Sequence, residues 1–376
     1  MATNNVMNKL IFTLKALTND ITIRASHGTL ILVLDDENVS GVHTYKKLKK
    51  VTENYSTKNK QYISLAFATY GVKKVLVASG HTTGGDGATT GISNSIDDIL
   101  RQLNTVYENG YLVVPQLGDI TDDNVLANTK TKIVNFVKTQ RSEEDYPYKA
   151  VLYNNSSNDM GIINFTGKDL GITDFATTPD EYALDVACVL CTLGANESIT
   201  GQTAKRVTSC DVKIDPDECV GNGELFLYND GTDIVFSPGV NSLTSIPTDQ
   251  NDYITKIRVV EVIDMVKSDL RNAFKKNYIG RYGNSYSNRK TLVRAVNSYL
   301  RGLAKEGYLS NDKDSFCELD VEATRNYLES VRMINTDDMT DDEVLRHPID
   351  THVFIKLTLY VMDVVESINT VLMYDE

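Results

Sequence analysis

The run KKVLVASGHTTGGDGATTGISNSIDDILRQLNTVYENGYLVVP, residues 73–115, decides the fold class. Its first seven residues hold an unbroken apolar block, Val75 to Ala78, of the kind found in strands buried on both faces. Residues 93–110 then read as a helix with a Ser cap and a Gly stop, and YLVVP (111–115) as a second apolar strand. Strands alternating with helices at this spacing imply an α/β layer with a mostly parallel sheet.

The same alternation extends outward. TLILVLDD (29–36) reads as a buried strand closed by acids, NKQYISLAFATYG (59–71) as a helix stopped by Gly71, 122–140 as a helix and YKAVLYN (148–154) as a strand. TPDEYALDVACVLCTLG (178–194) carries the fullest helix signature: a Thr178/Glu181 capping box, Pro179 at the first helical position and Gly194 at the end. Short strands follow in 211–215 and 224–239, the second a hairpin turned at Asn229-Asp230-Gly231. The expectation is an α/β chain: a central, mostly parallel α/β domain over 25–245, with a small strand-rich part near 205–240. The Pro, Ser, Asn and Asp content of 238–252 marks a boundary, and an α+β C-terminal domain is expected over 246–352.

Two long basic helices open that second domain. In the first, Ile263, Val266, Leu270 and Phe274 recur at helical spacing, with Lys267, Arg271 and Lys275 on a stripe beside them. In the second, Leu292, Val296, Tyr299 and Leu303 face one way and Lys290, Arg294, Arg301 and Lys305 the other. From Lys256 to Lys305 there are twelve Lys and Arg against three acids, a local +9 in a chain of net charge −13. Such segregation suggests an acidic partner surface. The overall acidity argues against a nucleic-acid binder. Near the end, Val353, Ile355, Leu357, Leu359 and Val361 alternate with Phe354, Lys356, Thr358 and Tyr360, the period of a half-buried strand. A further strand is expected at 368–374. LIFTLKAL (10–17) reads either as a strand with Leu10, Phe12 and Leu14 on one face or as the start of a helix. Edge strands of this kind invite pairing with another chain.

No catalytic or metal set emerges. The glycines of 80–91 follow a strand and precede a helix, as in phosphate-cradling loops, yet they form neither G-x-G-x-x-G nor a P-loop. Cys188 and Cys191 lie in an apolar helix, where cysteine behaves as a core residue, and Cys210 and Cys219 lack ligand spacing. Five cysteines without a secretion signal argue for reduced thiols. The histidines are scattered, no G-x-S-x-G occurs, and the acids at 337–343 miss the calcium-loop spacing. No window is long and apolar enough for a membrane span.

Several stretches, in order, carry a family resemblance: IRASHGTLILVLDD, YKAVLYNNSSNDMGIINFTG before TPDEYALDVACVLCTLGANESIT, NGELFLYNDGTDIVFSPGVNSLTS, KIRVVEVIDMVKSDLRNAFKKNYIGR and FCELDVEATRNYLES. The chain resembles the tail sheath proteins of contractile phage tails and phage-tail-like bacteriocins, in the compact form typical of Gram-positive hosts. That resemblance implies a structural polymer, not an enzyme: hexameric rings stacked helically around a tail tube and contracting without nucleotide to drive the tube through a cell envelope. It implies exchanged terminal arms, 1–24 and 353–376, with Leu10, Phe12, Leu14, Val353, Ile355, Leu357 and Leu359 as the strand-addition residues. The implied partners are further copies of the chain, the tail tube protein, and baseplate and tail terminator proteins, with no nucleic acid, membrane insertion or cofactor. It places the protein in a virion tail or bacteriocin particle assembled in the host cytoplasm. Lys267, Arg271, Lys275 and Arg294 become the candidate tube-facing cations. The alternative is an α/β nucleotide- or phosphate-binding enzyme using the loop 80–91.

Overall fold

The structure, a computed structural model, describes residues 28–82, 91–174, 177–194, 197–246 and 251–366. They fall into two compact units, one of residues 28–264 with 363–366, the other of 265–362.

The first unit is built on a seven-stranded sheet. In chain order its strands are Thr29–Asp35 (β1), Gly41–Tyr45 (β2), Lys74–Gly80 (β3), Gly110–Val113 (β4), Tyr148–Tyr153 (β5) and Ile162–Phe165 (β6). After the small antiparallel pair Gly171–Ile172 (β7) and Val207–Ser209 (β8), Glu224–Leu225 (β9) completes it. The order is β2-β3-β1-β4-β5-β6-β9, parallel throughout except for β2, which pairs antiparallel with β3. This is the mostly parallel α/β sheet read from the sequence.

The helices are Thr57–Ser64 (α1), Ile92–Leu103 (α2), Asp123–Ser142 (α3), Pro179–Thr192 (α4), Pro216–Gly221 (α5) and Ile257–Asn277 (α6). Strand alternation divides the core between the two faces of the sheet. Leu30, Leu32 and Leu34 pack with Val75, Val77 and Tyr111 against α1 and α4. Ile31 and Val33 pack with Leu76, Ala78 and Leu112 against α2 and α3. Covering both faces removes apolar area from water on each side, which explains why β1 and β3 carry apolar blocks without alternation. α4 begins as expected, with the Thr178/Glu181 capping box and Pro179 in the first turn. Cys188 and Cys191 are fully buried in its core face.

One helix is shorter than its sequence pattern. α2 stops at Leu103 because Glu108 is drawn back to the sheet, where its carboxylate accepts from Thr29 Oγ1 and Lys74 Nζ. Gly110 is therefore not a helix stop. It opens β4, where a Cβ would fall on the Thr29 carbonyl oxygen. The hairpin expected near 229–231 is Leu227–Asn229 (β10) paired with Ile234–Phe236 (β11). Asp230 Oδ1 accepts from the Thr232 and Asp233 N–H groups to close its loop.

The second unit holds the C-terminal part of α6, then Tyr286–Lys305 (α7), Phe316–Leu319 (β12), Val321–Ser330 (α8), Asp341–Arg346 (α9) and Ile355–Thr358 (β13). Val266 and Leu270 of α6 are buried, as are Leu292, Val296, Tyr299 and Leu303 of α7. Leu328, Val344 and Ile349 form a smaller core under α8 and α9. The division between the units falls inside α6, C-terminal to the 238–252 stretch that marks a boundary in the sequence.

Candidate assembly surfaces

The strand expected over 353–361 is regular only at β13 and continues as an isolated bridge from Val361 to Leu309. β13 lies antiparallel to β12, with Leu357 opposite Cys317 and Ile355 opposite Leu319. Asn297 occupies both backbone groups of Cys317: its Oδ1 accepts from the Cys317 N–H at 2.7 Å and its Nδ2 donates to the Cys317 carbonyl at 2.8 Å. Cys317 and Leu357 therefore form a pair without mutual hydrogen bonds, and the N–H and C=O of Leu357 point away from β12. The flanking even-numbered residues confirm that register. Phe354 and Tyr360 accept from the Asp320 and Ser310 N–H groups, and the Met362 N–H donates to the Tyr308 carbonyl. Ile355, Leu357 and Leu359 thus direct their backbone groups to the opposite edge, where no backbone partner occurs among the described residues. Their side chains, like that of Val353, are half-buried. Leu10, Phe12 and Leu14, and the strand expected at 368–374, lie outside the described residues.

Beyond this strand the chain returns to the first unit. Lys256 bonds Asp363, and its Nζ reaches Glu366 at 2.9 Å, while Thr200 Oγ1 donates to the other Glu366 oxygen at 2.8 Å.

Of the cations singled out from the sequence, Lys267, Lys275 and Arg294 are exposed and Arg271 is half-buried. Lys267 and Arg271 already make interactions within the chain. The basic faces are therefore outward, but the stripe on α6 is partly engaged.

A charged cluster that the sequence reading passed over holds the first turns of α6. Arg141 grips Asp264 with both guanidinium nitrogens, at 2.8 and 3.1 Å. Lys149, only 1% exposed, lies 3.2 Å from Glu261 and 3.4 Å from Asp264. Tyr111 donates to Glu261 at 2.6 Å, and burial together with that carboxylate pushes the Tyr111 phenol well above its usual value. The available signal was a lysine inside the apolar strand YKAVLYN, since a buried lysine needs a carboxylate.

At the carboxyl ends of the central strands, where doubly wound sheets bind nucleotides, the chain places an acid. Asp35 at the end of β1 accepts from Ser95 and lies 3.1 Å from His81 Nδ1, and the Thr82 N–H donates to Ser95. Of the Gly-rich loop, 83–90 lie outside the described residues.

Comparison with known proteins resolves the choice. A family model described as phage tail sheath C-terminal domain matches residues 249–369. The tail sheath protein of Clostridium phage phiCD119 is 30% identical over 368 residues, covering 94% of this chain and 96% of that one. The chain belongs to the phage tail sheath family. Solved sheath structures share its fold at low identity. The sheath tail protein of Listeria innocua superposes with a TM-score of 0.68 at 14% identity, covering 94% of this chain and 99% of that one. A chain from the helical sheath of the anti-feeding prophage in its contracted state gives 0.62 at 12%, covering 93% and 94%. The chain is therefore that of a phage tail sheath protein, and the sheath reading displaces the nucleotide-binding alternative. Among its described residues no helix is long and apolar enough to cross a membrane.

Proposed function

We propose that this sheath subunit polymerises as hexameric rings stacked helically around a tail tube, each ring tied to its neighbours by strand addition. The observation that carries the reading is the pairing of β13, one-sided among the described residues, which leaves the backbone groups of Ile355, Leu357 and Leu359 directed away from β12. A strand from a neighbouring copy, Leu10 to Leu14 in our reading, completes that edge by main-chain hydrogen bonds. The contracted helical sheath of the anti-feeding prophage, which shares the fold, supports a helical polymer. A head-to-tail contact repeated with a rise generates such an open assembly.

Contraction then draws on a metastable extended packing, since the sequence carries no nucleotide motif to drive it. The exposed basic faces of α6 and α7, with Lys267, Arg271, Lys275 and Arg294, meet the tube. Exposed pairs contribute only ~0–1 kcal/mol each, so they hold collectively and release singly as the sheath widens. Baseplate and terminator proteins cap the stack, and the particle is a virion tail or a bacteriocin assembled in the host cytoplasm.

The test is Leu357→Pro. It removes one N–H that faces away from β12, a position where edge strands tolerate proline. The variant should stay folded by circular dichroism yet form only small particles where the parent forms striated tubes, with or without tube protein. Tubes of normal length from Leu357→Pro would overturn strand addition at this edge.

A further inference from the structure

The charged cluster under the head of α6 holds one contact that an ion pair does not need. Asn109, the residue before β4, falls on the same face as Tyr111, and Tyr111 stands opposite Lys149 in the register of β4 with β5. Lys149 Nζ donates to Asn109 Oδ1 at 2.6 Å and lies 4.9 Å from the centre of the Tyr111 ring. A C=O bond is ~1.23 Å long, so the Asn109 carbonyl carbon lies within about 3.8 Å of the lysine nitrogen. Atoms poised to react stand ~3–3.5 Å apart.

The two carboxylates of the cluster are not equivalent. Asp264 receives both Arg141 nitrogens, at 2.8 and 3.1 Å, so a fixed cation keeps it ionised whatever Lys149 does. Glu261 has no cation except Lys149 among the described residues, at 3.2 Å, and its Oε2 also accepts from Tyr111 at 2.6 Å. Glu261 is therefore the group free to take the lysine proton. Lys149 is buried, so bulk water does not compete with its nitrogen for the amide. Asn109 is half-buried and its Nδ2 meets no acceptor among the described residues, which leaves a departing ammonia a way out. A purely structural ion cluster needs only the carboxylates; the amide carbonyl set against the ammonium is what it leaves unexplained.

The geometry points to a self-made amide between the side chains of Lys149 and Asn109. Glu261 takes one proton from the Lys149 ammonium, and the freed Nζ lone pair adds to Asn109 Cγ. Glu261 hands that proton to Nδ2, the Cγ–Nδ2 bond breaks, and the surplus proton on Nζ leaves with the nitrogen as ammonium. One C–N bond forms and one breaks, Glu261 ends ionised as it began, and no oxidant or co-reactant is consumed. The ammonium paired with carboxylates is the resting state and the neutral amine is rare, so the bond forms after folding. The newly folded chain is held by the ion pairs alone. The product ties the start of β4 to β5 by a link that neither salt nor titration loosens.

The experiment is tryptic peptide mapping by mass spectrometry of the full-length protein, freshly purified and after prolonged incubation at neutral pH. A branched peptide is expected, with Lys149 uncleaved and joined to the peptide that holds Asn109, lighter by one ammonia than its two parts. Its share should grow with incubation. Ammonia loss at Asn109 with Lys149 still cleaved marks ring closure onto the Gly110 nitrogen instead and overturns the inference, as does no loss at all. Glu261→Gln keeps an acceptor for Tyr111 but cannot carry the proton. It should slow linkage ~10²–10⁴-fold, the range that a positioned acid–base group supplies; linkage at the parental rate overturns the role given to Glu261. Thermal melting of this variant beside freshly purified parent separates a lost reaction from a lost fold. Lys149→Arg and Asn109→Ala should give no branched peptide, and its persistence in either would place the link elsewhere and defeat the assignment.

Discussion

At the scale of single residues, the interior of this subunit is held by charges as well as by apolar packing. Asp185, on the buried α4, accepts from Arg206 Nη1 at 2.7 Å and from Tyr70 at 2.6 Å. Burial nevertheless pushes its carboxyl up to about 6, against the pull of Arg206 and Tyr70. A carboxyl whose folded value lies above its unfolded value of about 3.9 binds more protons when folded, so its contribution to stability is full below pH ~4 and is lost as pH rises through 6. Arg206→Met removes the compensating cation and leaves the carboxylate buried alone. We expect a loss of ~3–5 kcal/mol at pH 7 by urea unfolding, because without its cation the buried carboxyl must either stay charged and unpaired or take up a proton that the unfolded chain does not bind. Part of that loss should be recovered at pH 5.5, where the carboxyl of the variant is protonated. A loss that is independent of pH would show that Asp185 does not carry it.

At the scale of elements, the head of α6 shows how a helix is fixed in place. Asp264 receives both Arg141 and Lys149, whereas Lys149 shares itself between Asp264 and the partly exposed Glu261. The two ends of the cluster are therefore unequal. Asp264→Ala leaves two buried cations short of a partner and should cost ~3–5 kcal/mol. Lys149→Met leaves Asp264 with its two-pronged Arg141 and places an apolar chain in an apolar strand, so it should cost less than half as much. Equal losses in denaturant titrations would mean that Lys149, not Arg141, holds the helix. Elements were largely legible beforehand. α4 was readable from Thr178, Pro179 and Glu181 because capping chemistry is local, and β1 and β3 from their apolar blocks. The end of α2 was not, since Glu108 is drawn off by Thr29 and Lys74, which are distant in sequence. The same holds for Gly110, whose role is set by a carbonyl on a neighbouring strand.

At the scale of the whole molecule, each unit carries its own core, one on the two faces of the large sheet and one under α8 and α9. Separate cores unfold separately when neither needs the other's apolar surface. Calorimetry of the unassembled subunit is expected to show two transitions, with Val344→Ala lowering only one of them; a single transition lowered throughout would make the subunit one cooperative body. The assembly surface was half legible. The alternation at 353–361 revealed a strand and the residues on each side of it, since a strand's period is written in consecutive residues. It could not reveal which edge has no partner among the described residues: the register depends on Asn297, from α7, taking both backbone groups of Cys317. Likewise the surplus of Lys and Arg in α6 and α7 is a property of the sequence, but the engagement of Lys267 and Arg271 is a property of the fold. By itself, then, the sequence determined the α/β class, most helices and strands, and the sheath family, all of which rest on patterns a few residues long. Only the tertiary structure decided the strand order, the anchoring of α6 and the edge of β13 that faces away from β12, because each arises where groups far apart in the chain compete for the same hydrogen bond or charge.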